Sequence, residues 1–136
     1  MNNDWAILSK YRIETASEDF MSAEINIKNG FYRAAVNRAY YCMLHMMRSL
    51  LIFHGKDYKS HSAVISSFRK EYIKTGIFNT VLSDIISQAS KQRNNSDYAD
   101  LINITRDEAE KLIKNVKIFY ETVKSYIEKQ INGLSE

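Results

Sequence analysis

The sequence predicts an all-α protein, an up-and-down bundle of four main helices with one additional short helix. Of its 136 residues none is proline and only 4 are glycine, so β-hairpin turns and glycine-rich loops lack their raw material. Apolar residues recur at steps of three and four along most of the chain, the spacing that gathers them on one side of a helix. The links between these runs are short, and short links make neighbouring helices pack antiparallel. With 45% hydrophobic and 26% charged residues, the chain can build a core without disulfides or metals, as a single domain over 1–136.

The first helix is expected from about Asp4 or Lys10 to Lys28, with Ile13, Ala16, Phe20, Ala23 and Ile27 inward and Asn29-Gly30 as its stop. A second, from about Phe31 to His54, carries two adjacent apolar stripes. One holds Val36, Tyr40, Met43, Met47 and Leu50, the other Ala35, Ala39, Cys42, Met46 and Phe53. A helix apolar around so much of its circumference belongs at the centre of the bundle. Ser60 or Ser62 can cap a short third helix whose inward stripe is His61, Ile65, Phe68 and Tyr72, ended by Gly76. A fourth is expected over Ile77 to Asn95, with Val81, Leu82, Ile85, Ile86 and Ala89 inward and the Asn-Asn-Ser-Asp cluster as its break. Thr105 and Glu108 form a capping box for the last helix, whose seam is Ala109, Leu112, Val116, Phe119, Val123 and Tyr126.

The formal net charge of +3 is unevenly spread, because residues 28–74 hold nine basic side chains against Asp57 and Glu71 alone. Such a block either attracts a polyanion such as RNA or faces an acidic neighbour within the fold. The chain contains no nucleotide-binding glycine motif, paired-cysteine metal site or His-Glu-x-x-His signature. No metal or cofactor is expected, since His45, His54 and His61 are scattered. Cys42 is the single cysteine, no stretch approaches the length of an apolar membrane span, and a cytoplasmic protein away from membranes is expected.

Three constellations can carry chemistry. The inward stripe of the fourth helix, continued four residues past Ala89, lands on Arg93, with Asp97 and Tyr98 just beyond. A core-facing guanidinium needs a carboxylate or a ligand phosphate, and Asp97, four residues on, fits a structural salt bridge equally well. His61 begins an inward stripe beside a helix N-terminus, where the dipole disfavours imidazolium and keeps a base neutral. Arg38, Tyr41, His45 and Arg48, at steps of three, four and three, form a polar stripe on the central helix. It is either that helix's exposed side or the lining of a groove.

The run Lys28-Asn29-Gly30-Phe31-Tyr32-Arg33-Ala34-Ala35-Val36-Asn37-Arg38-Ala39-Tyr40-Tyr41-Cys42-Met43-Leu44-His45, then Lys59-Ser60-His61-Ser62, then Arg93 with Asp97-Tyr98, resembles the HEPN domain family over about Lys10 to Glu128. The resemblance is to its small stand-alone prokaryotic branch. It implies a helical bundle, usually a homodimer, often paired with a minimal nucleotidyltransferase in toxin–antitoxin or defence systems, with many members acting as metal-independent ribonucleases. In those ribonucleases an Arg is followed, after four to six residues, by a His at an RNA-binding cleft. Arg93 matches the Arg, but the corresponding later positions are Tyr98, Ala99 and Asp100. A tyrosine of ordinary pKa is mostly protonated near pH 7 and is a poor base.

The resemblance therefore implies first a binding module that holds nucleotide or RNA phosphates through Arg93, Arg38, Tyr41, His45 and Arg48. A ribonuclease working with Arg93, Asp97, Tyr98 and His61 is the alternative, and a structural dimerisation domain a third. Related toxins are also modified on a tyrosine near the motif by their nucleotidyltransferase, a role for which Tyr98 is the nearest residue.

Overall fold

The computed structural model describes residues 3–98 and 103–135, without the side chains of residues 96–98 and 134–135. Its helices are α1 (Asn3–Lys28), α2 (Tyr32–Phe53), α3 (His61–Phe68), α4 (Val81–Tyr98) and α5 (Arg106–Ser135), with a π-helical turn over Arg69–Ile73 after α3. The arrangement is the expected bundle of four long helices and one short one.

α2 is the hub, because it alone is apolar on two adjacent stripes. It packs against α1, α3, α4 and α5, while α1 and α4 each also touch α5. Met43, Leu44, Met46, Met47, Leu50, Leu51 and Phe53 of α2 are fully buried. They meet Phe68 of α3, Ile86 of α4 and Leu112, Phe119 and Ile127 of α5 in one core.

The helix ends are written locally. Gly30 adopts φ +77°, and the amides of Gly30 and Phe31 donate to the carbonyls of Ile27 and Asn26 at 3.0 and 2.8 Å. That is the Schellman closure a left-handed glycine permits, and it turns the chain straight back as α2. Ser60 Oγ accepts from the Ala63 amide at 3.1 Å and caps α3. Thr105 and Glu108 exchange the two capping-box bonds at 3.1 and 3.2 Å.

Two boundaries differ from the sequence expectation. α4 begins at Val81 rather than Ile77, because Phe78 turns into the core and its amide donates to Tyr72 O at 2.7 Å. Asn79 Oδ1 then accepts from the Val81 amide at 2.9 Å and caps the helix. Val81 itself is exposed, not inward. At the other end α4 continues through Asn94, Asn95, Ser96 and Asp97 to Tyr98. The low helix propensity of Asn, Ser and Asp is a weak prior of tenths of a kcal/mol, which packing against α2 and α5 overrides.

The π turn has no signal in the sequence. By adding one residue to the turn it brings Ile73 into the core beside Tyr72, whose ring lies 5.5 Å from that of Phe68. Such turns are rare and cluster at functional sites.

Candidate functional site

The expected site residues come from three helices. Arg93 of α4 is half-buried, as its place on the inward stripe requires. Its guanidinium lies over two rings of α2, 5.0 Å from the Tyr40 centroid and 5.9 Å from that of Tyr41. Cation–π geometry of this kind is worth about 0.5 to 2 kcal/mol, more as the site dries.

His61, the first residue of α3, reaches the same two rings. Its Nδ1 is 3.2 Å from Tyr40 Oη, and its ring centroid is 5.8 Å from that of Tyr40 and 5.7 Å from that of Tyr41. Arg93 and His61, 32 residues apart in the sequence, therefore share one aromatic floor. With its proton on Nδ1 the imidazole donates to the phenol and keeps Nε2 bare as a base. With the proton on Nε2 the phenol donates, and Nε2–H faces a ligand as a donor.

Burial lowers the His61 pKa below its ordinary 6.5, and the charges of Arg93 and then Arg48 lower it further. The neutral form is the one present at pH 7. The direction is the one expected from the position of His61 at a helix N-terminus. Tyr40 moves the other way: burial raises its pKa above 10.0 against the opposing charge of Arg93, so it stays a phenol.

The polar stripe of α2 lies half-buried. Arg38 Nη1 is 3.0 Å from Asp19 Oδ1 on α1, and its guanidinium lies 5.0 Å over the Tyr41 ring. His45 Nε2 is 3.6 Å from Asp19 Oδ2. Arg48 and Arg12 both engage Asp57, at 3.6 and 3.2 Å. Burial pushes the Asp57 carboxyl up, but the hydrogen bond and charge of Arg12, then those of Arg48, outweigh it and hold its pKa below the usual value. Of the two roles the sequence allowed the basic block, Arg38 and Arg48 take the second and face acidic neighbours within the fold.

The side chains of Asp97 and Tyr98, named as partners of Arg93, lie outside the described residues. Among the described residues no group of three or more His, Cys, Asp and Glu side chains is placed to hold a metal, and no helix is long and apolar enough to cross a membrane.

This aromatic floor with its arginine and histidine sits within a stretch that a family model recognises. The HEPN domain model matches residues 9–126. The chain belongs to the HEPN family. Its relatives include "Putative toxin MJ0142" of Methanocaldococcus jannaschii, 35% identical over 115 residues, covering 85% of this chain and 78% of that protein. "Putative toxin MJ0605" of the same organism is 32% identical over 112 residues, 82% and 83% of the two chains. A UPF0332 protein of Thermotoga maritima is 28% identical over 128 residues, 94% and 96%.

Two residues of the candidate site are not among those the sequence points to. Tyr40 lies on an apolar stripe and is buried, yet its hydroxyl is the contact to His61. The other is Asp19, whose position is the signal: it lies three residues after Ala16 and four before Ala23, on the inward stripe of α1. A carboxylate there must meet a cation, and it meets Arg38 and His45.

A pH dependence follows for this HEPN fold. The His45 pKa is lowered by burial first, raised in part by Asp19, and lowered again by Arg48, Arg12 and Arg38. His45 and His61 both have folded pKa values below the 6.5 of the unfolded chain. Between those values the unfolded state binds more protons, so stability is fully present above about pH 6.5 and falls as pH drops through the folded values. Thermal melts followed by circular dichroism at pH 7.5 and 5.5 should give a lower midpoint at pH 5.5, and the difference should shrink in the double variant H45Q/H61Q. An unchanged difference in the variant would exclude these two histidines as its source.

Proposed function

We propose that this HEPN chain is a toxin-like module that binds nucleotide or RNA phosphates at the Arg93–His61 floor, working as a cytoplasmic homodimer beside a nucleotidyltransferase partner. The observation that carries this reading is the meeting of Arg93, His61, Tyr40 and Tyr41 from α4, α3 and α2. A guanidinium is matched to phosphate oxygens by charge and by its forked donors. Arg38, 5.0 Å over the Tyr41 ring, adds a second guanidinium beside this floor. The relatives named as toxins support the toxin-like setting. The homodimer is supported by the exposed apolar residues Ile7, Tyr11, Met21 and Ile25, which share one outer face of α1 because eighteen helical residues make about five turns.

A second reading, cleavage without metal, is favoured by one observation: the fold brings a neutral histidine to the arginine although none follows it in sequence. In that reaction His61 Nε2 takes the proton of a ribose 2′-hydroxyl, whose oxygen attacks the adjacent phosphorus. The bond to the 5′-oxygen breaks, and a 2′,3′-cyclic phosphate forms. Arg93 balances the charge gathered on the phosphorane, and an acid, Tyr98 or Asp97, returns a proton to the leaving oxygen.

End-labelled RNA incubated with the protein in excess chelator separates the two. A mobility shift with intact RNA is the expected result. Cleavage that H61Q abolishes would establish the second reading, and neither shift nor cleavage would return the fold to a structural dimerisation role.

A further inference from the structure

We infer that the groove between α3, the π turn and α4 is a second phosphate subsite, which holds the backbone of single-stranded RNA running on from the nucleotide at Arg93. The inference rests on the binding reading above. The groove is open to solvent, offers about 500 Å³ and is lined by Ser62, Ile65 and Ser66 of α3, by Arg69, Lys70 and Lys74, and by Ser90 of α4. Three cations and three hydroxyls face one space, and none of its lining residues is acidic.

Arg69 is what distinguishes this groove from an ordinary basic surface. Its Nε donates to Ser83 Oγ at 3.1 Å, and its Nη2 donates to Ser83 O at 3.1 Å and to Ser87 Oγ at 2.7 Å. Every one of these acceptors is neutral. Arg12, Arg38, Arg48 and Lys56 instead pair with Asp57, Asp19, Asp57 and Glu71. Neutral oxygens fix a guanidinium in place without cancelling its charge, which is what a preorganised anion site requires. Lys70 and Lys74 meet no carboxylate among the described residues either, so the local field stays positive.

The π turn makes this geometry. The Lys74 amide reaches back five residues to Arg69 O at 2.9 Å, and the widened turn sends Ile73 into the core with Tyr72 while Lys70 and Lys74 stay exposed on the groove. Two lining residues of the groove are close in the chain to residues of the first site. Ser62 follows His61 directly, and Ser90 lies three residues before Arg93, about 4.5 Å along the helix axis. A chain of phosphates leaving Arg93 therefore passes from one set of donors to the next.

The test compares a fluorescein-labelled RNA dinucleotide, which reaches only the first site, with an RNA octamer that spans both. Fluorescence anisotropy is recorded over a range of salt concentrations for wild type, R93A and K70Q/K74Q. The two lysines are exposed and make no hydrogen bond among the described residues, so the double variant should keep the wild-type circular dichroism. The octamer should bind about tenfold more weakly to K70Q/K74Q, with the slope of log affinity against log salt reduced by about 1.4, some 0.7 for each lost contact to single-stranded nucleic acid. Dinucleotide binding should match wild type, whereas R93A should weaken both ligands.

If R93A weakens binding but K70Q/K74Q leaves octamer affinity and slope unchanged, the groove assignment falls and the binding reading stands. If wild type binds neither RNA, both fall together. A poly-aspartate peptide that binds the groove as tightly as the octamer would overturn RNA in favour of an acidic protein partner.

Discussion

Replacing Arg93 by alanine should weaken RNA or nucleotide binding at least tenfold while leaving the helical signal at 222 nm nearly unchanged. The guanidinium lies over Tyr40 and Tyr41 at 5.0 and 5.9 Å, on the floor that His61 also reaches. A hydrogen bond from a charged donor to phosphate contributes about 1.5 to 3 kcal/mol, hence a loss on the order of ten- to a hundredfold. The fold should survive, because α4 is anchored by Leu82, Ile85, Ile86 and Ala89, all buried a turn or more before Arg93. A second consequence is specific to the geometry. Removing the guanidinium takes away one of the charges that depress His61, so the His61 pKa should rise in the variant, which imidazole proton chemical shifts against pH would detect. Unchanged binding in a titration of R93A would sink the site assignment. A changed circular dichroism spectrum would instead place Arg93 among the structural residues.

The largest loss of stability should come from Phe119→Ala. Phe119 is fully buried on the seam of α5, and its ring centroid is 5.5 Å from that of Phe68 on α3. Phe68 in turn stacks on Phe78 at 5.8 Å, and Phe78 meets Tyr126 at 5.2 Å. Deleting the ring loses its transfer free energy and leaves a cavity that stiff neighbouring rings fill poorly, for a cost of about 3 to 5 kcal/mol. Against a total stability of about 5 to 15 kcal/mol, that is a drop in melting temperature of roughly 10 to 15 °C. Chemical denaturation of the variant and of wild type measures the difference directly. A loss below about 1 kcal/mol would mean that the core collapses around the gap, contrary to the close packing expected of interiors. At temperatures where F119A remains folded it should still bind RNA, because Phe119 touches neither Arg93 nor His61 among the ring contacts.

HEPN membership and the bundle itself were legible in the chain. The run from Lys28 to His45 with Arg93 behind it carries the family pattern, and the family model covers residues 9–126. Individual placements were legible wherever a signal acts over three or four residues. The Ser60 cap, the Thr105 and Glu108 capping box, the Asn29-Gly30 stop and both stripes of α2 stand where they were expected. Each depends on a hydrogen bond or a facing that the sequence can specify within one helical turn.

Where local signals misled, a tertiary contact outweighed them. The Asn-rich end of α4 stayed helical because propensity is worth tenths of a kcal/mol per residue and packing more. Ile77 to Thr80 stayed out of α4 because burying Phe78 required a turn there. Which cations meet Asp19 and Asp57, Arg38 for the one and Arg12 with Arg48 for the other, was equally beyond sequence reach. These pairs join α1, α2 and the loop after α2, and nothing in a single chain of letters sets the rotation of one helix against another.

The chain by itself determined its family, its helices, most of their ends and the stripe that turned Arg93 inward. Only the tertiary structure decided that Arg93 would meet His61 over Tyr40 and Tyr41, and that Arg69 would be held by Ser83 and Ser87. The physical reason is range. Helix and cap signals are settled between neighbours, whereas a site built from α2, α3 and α4 exists only after burial of their apolar faces has set the helices side by side.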